Sequence, residues 1–303
     1  MLSEGSRVRL VMPTISADKL QKSADWLDRA RSLGVEVIVV CNSQSVLHYA
    51  SSLDKAWTIL AGGNEGFAHS INTGARSSGA WDVLFLANDD LEVNAGALSV
   101  MVAEAVAGSR RVIAFDPDPP KRLPDPLSIF CEVSLWSAVT RRLGRHLSQD
   151  QTSQAHLSKL SPHTYKSFSA VSIGRTIWER LGGLDERMTF CYEDSDFCSR
   201  YVMSYGLGIE AADAGLVHSH SASTKAHIAT VLPVVTHSAH AYLCLHGQTP
   251  QRARAVLFLA LILRFALLPL ARAPLRAHAL GVLNSMRSLW RVEPPRLPRP
   301  EDI

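Results

Sequence analysis

An apolar run, Leu84–Ala87, leads straight into Asn88-Asp89-Asp90. Two adjacent carboxylates at the carboxyl end of a strand are costly unless they are solvated, paired or bound to a cation. Hard divalent cations such as Mg²⁺ or Mn²⁺ prefer oxygen ligands and keep positions open for substrate phosphates. The competing use of the same residues is an Asx turn that caps a helix starting near Asn94. A second acidic group, Glu193, Asp194 and Asp196, sits in GGLDERMTFCYEDSDFCSR (182–200) and opens a helix. There, carboxylates suit the positive dipole end, so they are either cap residues with Arg200 as partner or a general base at the rim of a cleft. A third group, VHSHS (217–221), ends a short strand in His218 and His220. It either completes a metal site or is polar surface.

These groups need a scaffold. Residues 7–116 alternate short β-branched runs with helix-patterned segments. Strands are expected at 7–12, 35–40, 57–60, 82–87 and 111–115, with helices at 16–34, 45–53, 66–79 and 94–108. Repeated βαβ units of this length form a parallel sheet with helices on both faces, and ligands bind beyond the carboxyl ends of its strands. The run DPDPPKRLPDP (116–126) has five prolines in eleven residues and reads as irregular. Residues 127–168, rich in Ser, His and Gln, read as a mobile loop or lid. A strand is expected at 168–173, helices at 175–181 and 193–205, and short strands at 208–211 and 215–218. Cys191 and Cys198 have no zinc-like spacing and read as packing residues.

Composition narrows the classes. The 303 residues are 47% hydrophobic and 19% charged, with five cysteines. Mean hydropathy is +0.05. Global disorder and a disulfide scaffold are excluded. The formal charge of +3 gives no case for nucleic acid. It is unevenly spread: residues 251–303 hold nine Arg and three acids, while the remainder is slightly acidic. Met1–Ser6 is polar and Val8–Met12 is too short for a secretory h-region, so a cytoplasmic protein is expected. Ala255–Ala271 (AVLFLALILRFALLPLA) is apolar all round except for Arg264. It is expected to lie in the membrane interface between flanking arginines, the alternatives being a buried core helix or a single span.

Taken together, NEGFAHSINTGARSSGAWDVLFLANDD (64–90), GGLDERMTFCYEDSDFCSR (182–200) and VHSHSAS (217–223) resemble the three sequence blocks of family-2 inverting glycosyltransferases with the GT-A fold. The nearest subgroup is the bacterial rhamnosyl- and galactofuranosyltransferase-like enzymes. The resemblance covers about residues 7–223. It implies a Rossmann-like, mostly parallel sheet flanked by helices in a catalytic domain (1–235), followed by a C-terminal helical, basic extension (236–303). It also implies transfer of a sugar from a nucleotide-diphosphate sugar to an acceptor hydroxyl, with Mg²⁺ or Mn²⁺ as cofactor. On that basis Asp90 and His218 hold the metal, Asn88 and Asp89 assist at the diphosphate, Gly66 and Asn72 support the donor, and Asp194 is the catalytic base. Cys41-Asn42 stands where such enzymes usually carry an Asp that reads the nucleotide base, which leaves Asn42 as the candidate contact there. The QxxRW motif of processive synthases is absent, so one sugar or few per acceptor is expected. The expected setting is bacterial polysaccharide or glycolipid assembly, with a glycan or lipid-linked glycan acceptor and peripheral contact with the inner face of the plasma membrane. The rival readings are a non-catalytic scaffold of the same fold and a nucleotidyltransferase. The latter is disfavoured because Met12–Ser16 is not a glycine-rich, basic phosphate loop.

Overall fold

The computed structural model describes residues 6–143, 157–219, 227–271, 275–291 and 295–297. The chain forms two compact units. The first comprises Met1–Leu123, Ser153–Glu186 and Glu193–Ser221. The second comprises Pro124–Thr152, Arg187–Tyr192 and Ala222–Ile303. The expected boundary at 235/236 falls inside one continuous helix, Ile228–Leu245, which cannot be divided without breaking its hydrogen-bond ladder.

The first unit is α/β. Its early elements are β1 (Val8–Thr14), α1 (Ala17–Ser32), β2 (Glu36–Cys41), α2 (Gln44–Ser52), β3 (Thr58–Ala61), α3 (Phe67–Arg76), β4 (Val83–Ala87), β5 (Leu91–Glu92), α4 (Ala95–Ala107) and β6 (Val112–Ala114). Ser16, Ser43 and Asn94 cap α1, α2 and α4 through their side-chain oxygens. Each cap satisfies a backbone N–H that the helix itself cannot, an effect of about 1 kcal/mol. Asn94 alone does this for α4, so Asp89 and Asp90 are not needed as caps. Later come β7 (Lys121–Arg122), β8 (Ser158–Lys159), β9 (Thr164–Tyr165), β10 (Ala170–Gly174), α7 (Arg175–Leu181), α8 (Glu193–Tyr205), β11 (Glu210–Ala211) and β12 (Val217–His218).

The main sheet has the order β3-β2-β1-β4-β10-β6-β11-β8. β1, β2, β3 and β4 run parallel, whereas β10 lies antiparallel between β4 and β6. The side chains of β1 alternate between the two faces. Val8, Leu10 and Met12 join the core under α1, α2 and α4, while Val11 joins the core under α3, α7 and α8. Burying each such Val or Leu stabilises the unit by about 1.5–3 kcal/mol relative to leaving it exposed. Arg9 faces the second core with no exposed surface. Its guanidinium pairs with Glu36 and donates to the carbonyls of Ala75, Ser77 and Ser78, neutralising the negative end of α3.

The second unit is helical: α5 (Pro126–Val133), α6 (Trp136–Leu143), α9 (Ile228–Leu245), α10 (Pro250–Ala271) and α11 (Leu275–Ser288). Residues expected to form a lid therefore begin with two helices. Asp125 and Ser128 form a capping box with Pro126 in the first turn, and Ile129 and Val133 are buried in a core with Leu232, Leu257, Leu261 and Val282. The remainder of that expectation, 144–156, lies outside the described residues.

Candidate active site

β4 ends at Ala87, and the chain then places Asn88, Asp89 and Asp90 at the carboxyl edge of the sheet. The Asn88 N–H donates to the Ser169 carbonyl at 2.8 Å, which fixes the turn against the segment leading into β10. Asp89 turns back toward β1. It accepts from the Thr14 hydroxyl at 2.9 Å and pairs with Lys19 Nζ at 3.2 Å. Burial pushes its carboxyl up from the ordinary range, against the pull of Lys19 and Thr14.

Asp90 turns the other way. Its Oδ1 lies 3.2 Å from His218 Nε2, and its side chain is only 12% exposed, so it is not a freely solvated acid. The β5–β12 pairing sets this contact, with His218 opposite Leu91. Ser219 N–H also donates to the Asp90 carbonyl at 3.0 Å. The second ring nitrogen, Nδ1, lies 3.5 Å from Oδ2 of Asp116, a carboxylate with no exposed surface just beyond β6. Flanked by Asp116 and Asp90, His218 is pushed up to about 9. Asp116 also accepts from Ser169 Oγ and, at 2.7 Å, from the Asp118 N–H. Although burial opposes it, these partners and His218 hold the Asp116 carboxyl below its usual value. Asp116, Asp118 and His218 bring ligand atoms within 4.8 Å of one another. Carboxylates around one imidazole can either hold a hard cation such as Mg²⁺ or Mn²⁺ or fix the orientation of the ring.

The acids of α8 divide by role. Asp196 is 1% exposed and salt-bridged to Arg200 at 2.7 Å. Arg200 also donates to the carbonyls of Leu181 and Gly183, so this pair braces the Gly182-Gly183 turn. Gly183 has φ +76°, and a Cβ there would meet Asn72 Oδ1 at 2.7 Å, so only glycine fits. Glu193 and Asp194 are half-buried and side by side. Burial raises both carboxyls, and the Asp194 charge raises Glu193 further. Asp194 has counterweights: the Ser195 N–H at 2.7 Å, Lys121 and Ser167. The chain reaches this helix through Cys191 and Tyr192, both with left-handed φ of +69° and +73°. Such non-glycine conformations cost of order 1–3 kcal/mol each and persist where surroundings enforce them, often at functional sites.

The segment 166–169 links the two acidic sites. Ser167 bonds Asp194, whereas Ser169 bonds Asp116 and receives Asn88. Residues two apart in any chain conformation lie at most about 7 Å apart, so the helix-start acids and the His218 site are neighbours. Sequence reasoning missed Thr14, Lys19, Asp116, Ser167 and Ser169.

Other expected residues sit as follows. Asn42 Oδ1 accepts from Ser70 at 3.0 Å, just beyond β2. Cys41 is buried, and burial lifts its thiol to about 11. Gly66 starts α3 with φ +109°. Asn72 is buried and bonds both backbone groups of Leu184 as well as Glu186, tying α3 to the Gly182-Gly183 turn. Cys198 is buried as expected, but Cys191 is exposed, because its left-handed turn directs it away from the core. His220 lies outside the described residues. A cleft of about 620 Å³ is lined by Asp89, Asp90, Val217 and Ser219 together with Lys19 and Arg29 of α1. His218 lies between two lining residues and is not one of them. Strand alternation points it to the opposite side, so this cavity backs the His218 site.

The sequence matches no protein-family model and no curated protein. Three solved structures are similar in outline. One is a mycobacterial protein, at 12% identity over 77% of this chain and 75% of that one, with a TM-score of 0.44. The second is glucosyl-3-phosphoglycerate synthase from Mycobacterium tuberculosis in complex with Mn²⁺, UDP and glucosyl-3-phosphoglycerate, at 12% identity, 76% and 79% coverage and a TM-score of 0.44. The third is the same synthase with Mn²⁺, UDP and phosphoglyceric acid, at 12%, 76%, 78% and 0.45. At these values the likeness carries nothing about function. What the chain itself defines is an α/β unit with a mostly parallel sheet, two acidic sites at its carboxyl edge, and a separate helical unit.

Proposed function

We propose that the protein is an inverting GT-A glycosyltransferase that moves one sugar from a nucleotide-diphosphate sugar to an acceptor hydroxyl. The observation that carries this reading is the Asp90–His218 pair at 3.2 Å on the carboxyl edge of the sheet. Asp90 and His218 would hold a divalent metal there, and it would supply charge neutralisation of the departing nucleoside diphosphate. Asp90 offers the oxygen ligand and His218 the nitrogen. Asp89, held by Thr14 and Lys19, keeps the turn in place. Asp194 takes the proton from the acceptor hydroxyl as it attacks, and its raised carboxyl moves its proton affinity toward neutral pH, as a base requires. Asp196 is excluded from that role because Arg200 occupies it.

The test is a donor screen with UDP-, dTDP- and GDP-sugars and Mn²⁺ or Mg²⁺. Metal-dependent release of nucleoside diphosphate from one donor class, with inversion at the anomeric carbon of the product, is expected. Release of pyrophosphate instead indicates nucleotidyl transfer. Inert donors throughout leave a non-catalytic scaffold.

We further propose that the helical unit rests on the inner face of the plasma membrane, giving access to a lipid-linked glycan of polysaccharide or glycolipid assembly. The support is an inverted helix. The outward face of α10 carries Leu259, Ile262 and Phe265, 47–58% exposed, along with Ala255 and Ala266. These positions fall within about 120° of one another at 100° per residue. Arg264, the charged residue within its apolar stretch, is instead buried, donating to Val133 O at 2.8 Å and meeting His278 Nδ1 at 3.2 Å. Water does not favour such an exposed face, whereas a bilayer does. No Asp or Glu occurs between Asp213 and Glu293, and Arg252, Arg276 and Arg287 are exposed. Each suits anionic headgroups at roughly 1 kcal/mol before screening. Sedimentation with phosphatidylglycerol vesicles is expected for the full chain. Replacing Leu259, Ile262 and Phe265 with Ser should weaken it at least tenfold without lowering the melting temperature. Equal binding by that variant, or self-association of the full chain with no vesicle binding, overturns the assignment.

A further inference from the structure

The metal-dependent reading leaves unexplained what aims His218. Its strand, β12, has two residues and, among the described residues, pairs only with the equally short β5. Such a ladder does not by itself hold a ring orientation. A neutral imidazole has one nitrogen that donates and one that can ligate, and the partner of the first selects the second.

We propose that Asp116 is a positioning residue for this site: its carboxylate takes the Nδ1–H of His218 and so presents Nε2 toward Asp90. Resting on the reading above, the inference adds to it a residue that none of the three sequence blocks contains. The two nitrogens of His218 face different carboxylates, Nε2 at 3.2 Å from Asp90 and Nδ1 at 3.5 Å from Asp116. The two carboxylates differ in what else holds them. Asp116 has no exposed surface and is fixed by Ser169 Oγ and the Asp118 N–H. It lies two residues past β6, a strand that is itself paired on one side by β10 and on the other by β11. Ser169, which holds Asp116, also receives the Asn88 N–H through its carbonyl. One residue therefore sets the spacing between Asp116 and the turn that carries Asp90. A carboxylate behind a ligating histidine fixes its tautomer and raises its basicity, and losing it typically costs 10–100-fold in metal affinity or activity.

The experiment measures Mn²⁺ binding by electron paramagnetic resonance for the full chain and for Asp116→Ala, Asp116→Asn and Asp90→Asn. Long-range ¹H–¹⁵N spectra of His218 in saturating Mg²⁺ are recorded alongside. Mn²⁺ affinity should fall at least about tenfold in Asp116→Ala. In Asp116→Asn, whose amide oxygen can still accept from Nδ1–H, the loss should be smaller. The His218 spectrum should show one Nδ1–H tautomer in the full chain and a mixture in Asp116→Ala. Should Asp116→Ala not fold, the isosteric Asn variant carries the test through a measurable, smaller loss. Affinity within twofold of the full chain together with an unchanged tautomer overturns the inference alone, provided Asp90→Asn abolishes binding. Absence of Mn²⁺ binding by the full chain overturns the metal reading, and this inference with it.

Discussion

The strand-end acids and the helix-start acids are both pairs of adjacent carboxylates, and the fold treats them oppositely. Asp89 and Asp90 point in different directions, each toward its own cation, Lys19 and His218. Separating them gives each its own counter-charge, although burial still raises the Asp89 carboxyl. Glu193 and Asp194 stand together in surroundings that raise both. Burial raises both carboxyls and the Asp194 charge raises Glu193 further, so of the two Glu193 holds its proton the more firmly. Sequence adjacency is thus no guide to charge state. What decides is whether the backbone splits the pair or keeps it on one helical turn.

Breaking the first site should have the largest effect. Asp90→Asn preserves shape but removes the ligand charge. Metal-dependent turnover should drop at least about 10³-fold, the several kcal/mol a Lewis acid contributes. Because Asp90 is mostly buried, the isosteric amide and not Ala is the proper variant. Turnover within tenfold of the wild type in saturating Mn²⁺ would remove Asp90 from the metal site.

The second site should respond with opposite signs in activity and stability. Asp194→Asn should lower kcat by at least about 10²-fold with little change in donor KM, as loss of a general base predicts. Its melting temperature at pH 7 should rise, since ionising a carboxyl whose folded value is raised destabilises the fold. A variant that loses donor binding at unchanged kcat would show that Asp194 serves the donor instead.

The smallest effect sharpens the contrast within the pair. Gln imitates a protonated Glu, so Glu193→Gln should keep kcat within about threefold at neutral pH. The sign of its stability effect follows from linkage. In the wild type, Glu193 contributes stability below the ordinary Glu value of 4.5 and loses it as pH climbs toward its raised folded value. The melting-temperature advantage of Glu193→Gln should therefore grow with pH above about 5. A constant difference across pH 5–9 would show that Glu193 ionises normally.

Much of the first unit was legible locally. The expected ranges for α7 and α8 coincide with the observed Arg175–Leu181 and Glu193–Tyr205, because Gly182 and Gly206, with φ of +75° and +68°, stop them as the residue type predicts. The antiparallel direction of β10 was not legible: Ala170–Gly174 is apolar and buried like its parallel neighbours, and direction depends on the path of the chain before it. The helices α5 and α6 were hidden in a stretch whose polar composition imitates a loop. Asp90 and His218 were singled out through the resemblance, and the structure brings their side chains to 3.2 Å. Asp116 was missed because the prolines around it drew attention to irregularity. Yet it repeats the pattern of the first site, an apolar strand followed within two or three residues by an acid. Lys19 also left a signal, a cation in the first turn of α1, where the dipole disfavours it.

The position of β10 has a consequence for how the chain is made. β4 and β6 are separated in space by a strand that is synthesised last of the three. A nascent chain that has passed residue 114 but not 174 holds two strands with unpaired edges and no partner yet available for either. The β1–β4 portion can close on α1–α3 early, but its growing edge stays open while the roughly 80 residues between Ala87 and Ala170 emerge, at roughly 5–20 residues per second. For those seconds the edge of β4, Val83–Ala87, is a bare apolar template of the kind that pairs with other chains. Pauses in translation between those points therefore lengthen the interval in which the chain can aggregate, whereas a pause after residue 174 does not.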